Sequence, residues 1–187
     1  VLGYSEYEYY MLNKPAGVVS AVSDKDFKTV VELITDNKRK DLFPVGRLDK
    51  DTEGLLIITN DGDMAHRLLS PKHHIDKTYY VVAKGSIDNK YIDEFKNGLV
   101  VDKDFTAMPA KLEILQYSNQ DDTINFKYNN SRGKVSSDEK ECLRQPGSEV
   151  LYLKRLSMGK LQLDETLEPG KFRPLTGSEI DLLKSWN

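Results

Sequence analysis

Cysteine is nearly missing from this sequence: Cys142 stands alone among 187 residues. A disulfide framework is thereby excluded, and a single thiol suits a reducing compartment, so a cytoplasmic location is expected. Histidine is almost as scarce, with His66, His73 and His74 only. These four residues show no metal-ligand spacing, and adjacent histidines point apart, so no metal is expected. No apolar run is long enough to span a bilayer and no signal-peptide pattern is present, so no membrane partner is expected. The chain also lacks a start methionine and opens at Val1, as a fragment or a processed chain does. Nor is positive charge in excess: 27 Lys and Arg face 30 Asp and Glu, a net charge of -3. That argues weakly against nucleic acid, but the distribution of charge counts for more than its sum.

What is present describes an ordinary globular chain, 39% hydrophobic and 30% charged, able to bury a core as one domain or two small lobes. Its cations are grouped. They collect in Lys38-Arg39-Lys40, in Arg47 and Lys50, and from His66-Arg67 through Lys72-His73-His74 to Lys77. Each group alone reads as a solvated face. Together they flank one acidic turn and suggest a cleft for a polyanion.

That turn is Gly46-Arg47-Leu48-Asp49-Lys50-Asp51-Thr52-Glu53-Gly54, followed directly by the aliphatic run Leu55 to Ile58. A carboxylate at the mouth of a buried strand, with a cation two residues away, has the arrangement of a catalytic Asp. Arg47 can hold Asp49 ionised as a base or nucleophile. A calcium loop is excluded, because its closing acidic ligand would fall on Asn60. A phosphate cradle needs more glycine than this turn has. A plain structural turn with a surface ion pair is the remaining alternative.

Strands are expected over Glu8 to Asn13, Gly17 to Val22, Gly54 to Thr59 and Thr78 to Ala83. Further strands are expected over Leu99 to Val101, Ala110 to Gln116, Thr123 to Lys127, Val150 to Leu153 and Lys160 to Leu163. Thr29 to Ile34 has the spacing of a short helix. Asp61 can cap a helix over Met64 to Leu69, and Asp88 another through Phe95. Thr176 with Glu179 makes a capping box for a terminal helix through Lys184. The order is α+β with a mostly antiparallel sheet. From Tyr128 to Ser148 the periodicity vanishes into a long polar stretch, which is uncommon inside a compact domain.

Several separated motifs now line up. They are Met11-Leu12-Asn13-Lys14-Pro15-Ala16-Gly17-Val18, the Gly46 to Leu55 turn, and Ser70-Pro71-Lys72-His73-His74 with Lys77-Thr78-Tyr79. Leu153-Lys154-Arg155-Leu156 with Met158-Gly159, and the ending Pro169 to Thr176, complete the series. In this order they resemble the bacterial rRNA pseudouridine synthases of the RsuA type, over nearly the whole chain. The resemblance implies a pseudouridine synthase fold, two lobes around a bent, mostly antiparallel sheet with an RNA-binding cleft, and residues 1–187 as its catalytic domain. It implies no cofactor. Asp49 becomes the essential carboxylate, Tyr79 the aromatic that stacks on the target base, and Arg47 a charge paired with Asp49. Tyr80 is expected on the opposite face of the sheet from Tyr79. Lys50, Thr52, Arg67, Lys72, His73, His74 and Lys77 become RNA contacts, the Lys72 group on phosphate rather than in the chemistry.

The Ser-Pro-Xaa-His-His signature favours a uridine of 16S rRNA, bare or in the assembling small ribosomal subunit. A 23S rRNA target, or a non-catalytic RNA-binding or ribosome-assembly protein on the same fold, are the alternatives. Family members commonly carry an amino-terminal S4-like domain, and the sequence begins where the catalytic domain is expected to start. The family's third motif, close to Glu-Gly-Lys-Phe-His-Gln-Xaa-Lys-Arg-Met-Phe, would fall at Ser131 to Gly147. Only Gly133 and Lys134 agree there, and Lys134 is assigned beside Asp49 by that match. The codons for Arg132 to Lys140, read one base later, permit the family motif, and Glu141 to Pro146 permit Met-Phe from a third base. A double frameshift over residues 131–146 is therefore expected, with a genuine divergent loop as its rival.

Overall fold

The computed structural model describes residues 6–35, 39–73, 75–84, 110–118, 120–130 and 149–185. The chain divides into two compact units, Val1–His73 with Lys160–Asn187, and His74–Gly159.

In the first unit, β1 (Tyr9–Lys14) runs antiparallel to β3 (Glu53–Thr59), from Tyr9 opposite Thr59 to Lys14 opposite Gly54. The short β2 (Phe43–Pro44) lies on the other edge of β3, and β9 (Phe172–Pro174) on the other edge of β1. Leu55 to Ile58 are wholly buried, which explains why this run reads as continuous rather than alternating: both faces of β3 are covered. Helix α1 (Gly62–Leu69) starts at Asp61, whose carboxylate accepts the Met64 amide at 3.1 Å, and buries Met64, Ala65 and Leu68. A single 3-10 turn, Pro71–His73, follows it.

Helix α2 (Gly177–Lys184) is the terminal helix expected from its capping box, with Thr176 and Glu179 capping each other. Arg173 fastens it to the sheet. Its guanidinium donates to both Glu179 oxygens, at 2.7 and 3.1 Å, and through Nε to Asp164 at 2.9 Å. The hydrogen bonds from Arg173 hold the Glu179 carboxyl below the ordinary glutamate value, against the opposing effect of burial. A depressed folded value means the stabilisation is full at neutral pH and is lost as pH falls through that value. Glu179→Gln is therefore expected to cost about 1 kcal/mol at neutral pH and progressively less as the pH falls through the depressed Glu179 value. Urea melts of both proteins over that pH range check this.

In the second unit the strand order is β5 (Ala110–Ser118), β6 (Thr123–Asn130), β4 (Lys77–Lys84) and β7 (Glu149–Met158), all antiparallel. Along β4 the alternation is plain: Tyr79, Val81 and Ala83 are buried while Tyr80 and Val82 are half-buried. Tyr80 meets Tyr152 edge-on at 6.1 Å, on the opposite side of the strand from Tyr79, as expected. Strand β8 (Leu161–Gln162) opens the return of the chain into the first unit.

Two expected elements differ. Gly17 to Val22 is not a strand; only Val19 makes an isolated parallel bridge, to Thr29. Its backbone is committed to loop contacts instead, described below. The helix expected over Thr29 to Ile34 shrinks to one 3-10 turn, Val31–Leu33, because Thr29, Val30 and Ile34 are all drawn into the core. The expected helix from Asp88 and strand from Leu99 lie outside the described residues, as does the segment 131–146. Among the described residues no helix is long and apolar enough to cross a membrane.

Candidate active site

The acidic turn is the connection between β2 and β3. Before Asp49 it is anchored on the core: Val45 donates its amide to the Ile57 carbonyl at 2.8 Å, and Val45 and Leu48 are buried. The Ser20 hydroxyl accepts the Leu48 amide and donates to the Leu48 carbonyl, both at 3.0 Å. After Asp49, the Thr52 amide donates to the Asp49 carbonyl at 3.0 Å and closes a turn.

Lys14, the last residue of β1, lies beneath this turn with 0% exposure. Its ammonium donates to the carbonyls of Pro15 at 3.0 Å, Lys50 at 2.8 Å and Thr52 at 2.7 Å. An ammonium has three donors, and three carbonyls take them. A buried charge is tolerated only when it is hydrogen-bonded in this way. The Lys50 carbonyl also accepts the Gly17 amide at 2.9 Å. The carbonyls of residues 49, 50 and 52 are thus all committed, and the backbone beyond Asp49 cannot reorient. Asp49 itself is half-buried, held firmly yet reachable from solvent.

Gly46 enters the turn at φ +82°, and a Cβ there would sit 3.1 Å from Leu69 Cδ2 at the end of α1. Gly46→Ala is expected to cost about 1–2 kcal/mol, through the left-handed backbone and that contact. A thermal melt of the variant measures it.

The residues singled out from sequence fare differently. Arg47 is exposed, and among the described residues the structure forms no ion pair between it and Asp49. Leu48, between them, is buried. Thr52 is a correction: it is wholly buried and offers no surface to RNA, because its amide and carbonyl close the turn. Lys50 is half-buried, with its ammonium 4.3 Å from the centre of the Phe27 ring. Arg67 is half-buried in the last turn of α1, Lys72 is exposed and His73 half-buried just beyond it. Lys77, half-buried, starts β4. His74 and Lys134 lie outside the described residues.

In the second unit Tyr79 has 0% exposure, and its ring lies 6.4 Å from that of Tyr128. Opposite Tyr79 in the β4–β7 register stands Arg155, 2% exposed. Arg155 entered the sequence reading only as part of a motif. Alternation could have found it, since Leu153 faces inward and the residue two positions on must do the same. Lys14 likewise entered only as part of a motif. Among the described residues no three His, Cys, Asp or Glu side chains are grouped as metal ligands.

The comparisons agree on kinship. Residues 8–167 match the family model for RNA pseudouridylate synthase. The uncharacterized RNA pseudouridine synthase YtzG of Bacillus subtilis (strain 168) is 45% identical over 181 residues, covering 96% of this chain and 74% of that protein. Ribosomal small subunit pseudouridine synthase A of Haemophilus influenzae is 39% identical, over 95% of this chain and 74% of its own length. A crystal structure of a pseudouridylate synthase superposes with a TM-score of 0.85 at 37% identity, over 96% of this chain and 75% of that one. With an α+β fold common to chain and relative and a match that spans the locked Asp49 turn, the chain belongs to the RNA pseudouridylate synthase family.

Proposed function

We propose that the chain isomerises one uridine of 16S rRNA to pseudouridine, in bare RNA or in the assembling small subunit, with Asp49 as the essential carboxylate. The observation that carries this reading is the Asp49 turn, half-buried and fixed by the buried Lys14 ammonium on the carbonyls of residues 50 and 52. The reaction breaks the bond between base and sugar, turns the base, and rejoins it through carbon, with the carbon-bound proton exchanged for one on nitrogen. It needs no oxidant. It needs a carboxylate that does not drift while the base turns, and a base drawn from its stack at a cost of a few kcal/mol.

In this proposal Tyr79 stacks on the extruded base, and Arg47, exposed beside the turn, and Lys134 supply charge around it. Lys50, Arg67, Lys72, His73, His74 and Lys77 contact the RNA backbone. The 16S assignment draws on the Haemophilus influenzae relative, whose name specifies the small subunit, and on the Ser70-Pro71-Lys72-His73-His74 signature. Chemical mapping of pseudouridine in 16S and 23S rRNA after incubation tests it. A new pseudouridine at one 16S position supports the reading. One confined to 23S rRNA overturns the target.

A further inference from the structure

Residues 22–28 are exposed throughout, and they include two large apolar side chains, Val22 at 52% and Phe27 at 46%. Exposure does not make the segment loose. The Asp24 carboxylate accepts the amides of Asp26 and Phe27, both at 2.9 Å, so the chain is turned just where the ring projects. At its base, Val19 donates to the Lys28 carbonyl and Val30 to the Val19 carbonyl, both at 3.0 Å. Ser20, at the other end, grips Leu48 in the active-site turn. Across the ring lies the Lys50 ammonium, 4.3 Å from its centre, on the residue next to Asp49. The carbonyl of Lys50 is fixed in turn by Lys14 and Gly17. An aromatic surface is thus held open to solvent against Lys50, the residue that follows Asp49 in the turn.

Charge narrows what it can hold. Asp24 and Asp26 cancel Lys25 and Lys28, and Lys50 stands between Asp49 and Asp51. The local field is close to neutral, so the ring, not the charge, is what this patch presents. Beyond the contact that Lys50 makes, phosphate would gain little there. An unpaired nucleobase would gain a stacking face, and every base has one.

We propose that Phe27 is a stacking platform for an unpaired nucleobase of the RNA substrate near the target uridine, with Lys50 fixing the ring. This rests on the RNA-modifying function proposed above. When the target leaves its stack, the base beside it loses a partner, and Phe27 supplies one.

The test uses Phe27→Trp with Trp186→Phe, since Trp186 is the one natural tryptophan, and places both in Asp49→Asn to separate binding from turnover. Single-stranded oligouridylate is expected to quench the emission of the introduced indole saturably. Phe27→Ala is expected to weaken its binding about tenfold, while Phe27→Tyr keeps it. The dependence of binding on salt should be unchanged in Phe27→Ala, whereas loss of a phosphate contact would flatten it. Unquenched emission, or Phe27→Ala binding within about twofold of the parent protein, overturns the platform whatever the enzyme's activity. Quenching in the variant, with no pseudouridine made by the natural chain, keeps the platform and overturns the proposed reaction instead.

Discussion

Lys14→Met is expected to lower stability by about 3 kcal/mol and the turnover rate about 10- to 100-fold. The stability loss has a specific source. Methionine fills the space but leaves the buried Thr52 carbonyl and the partly buried Pro15 carbonyl without the hydrogen bonds they make to the ammonium. The Lys50 carbonyl keeps the Gly17 amide. Each carbonyl left bare costs about 1–3 kcal/mol, offset in part because no charge has to be desolvated. For a chain of this size the melting midpoint should fall by about 6–12 °C. The rate loss comes from position: with two of its carbonyl anchors on Lys14 gone, the Asp49 carboxylate is no longer fixed, and a displacement near 1 Å is worth about 100-fold. A positioning role lowers kcat and leaves the KM for RNA nearly unchanged. Stopped-time assays over a range of RNA concentrations, with a thermal melt alongside, check both effects. An unchanged melt and unchanged kcat would show that Lys14 does not hold the turn.

Asp49→Asn has the larger effect on chemistry and the smaller one on structure. The exchange keeps size and shape, and the turn is held by backbone groups: the Thr52 amide on the Asp49 carbonyl, and Lys14 and Ser20 on either side. The fold should therefore survive with its melting midpoint nearly unmoved. An amide is neither a base nor a nucleophile at neutral pH, so the rate should fall by about 10,000-fold or more. A modest loss would assign Asp49 to binding. An unchanged rate would leave the turn as the plain structural turn with a surface ion pair that the sequence left open.

The elements legible in the sequence were those written in local signals. Asp61 before α1, the Thr176–Glu179 pair before α2, and the apolar run of β3 each announce themselves within a few residues. What escaped depends on distant partners. Gly17 to Val22 carries a strand's composition, but the Ser20 hydroxyl is spent on Leu48 and the Gly17 amide on Lys50, so no ladder forms there. In the candidate site, the turn between β2 and β3 was legible because its polar residues stand directly before an apolar run. Lys14 and Arg155 were not, since a cation in sequence reads by default as surface. Burial, at 0% and 2%, marks both as internal, and only for Arg155 does strand alternation give a hint of it. Thr52 erred the other way: a polar residue in a polar turn, it closes the turn from inside. The Arg47–Asp49 pair was inferred from spacing alone, and spacing does not fix where a long, hydrated side chain goes.

The most direct test of the account is tritium release from 5-tritiated uridine in 16S rRNA, bare and as assembling particle, by the natural chain and by Asp49→Asn. Release by the natural chain and none by the variant is expected, with the two proteins melting together. Release by the variant within about tenfold of the natural chain would contradict it, and would remove Asp49 from the centre of the reaction.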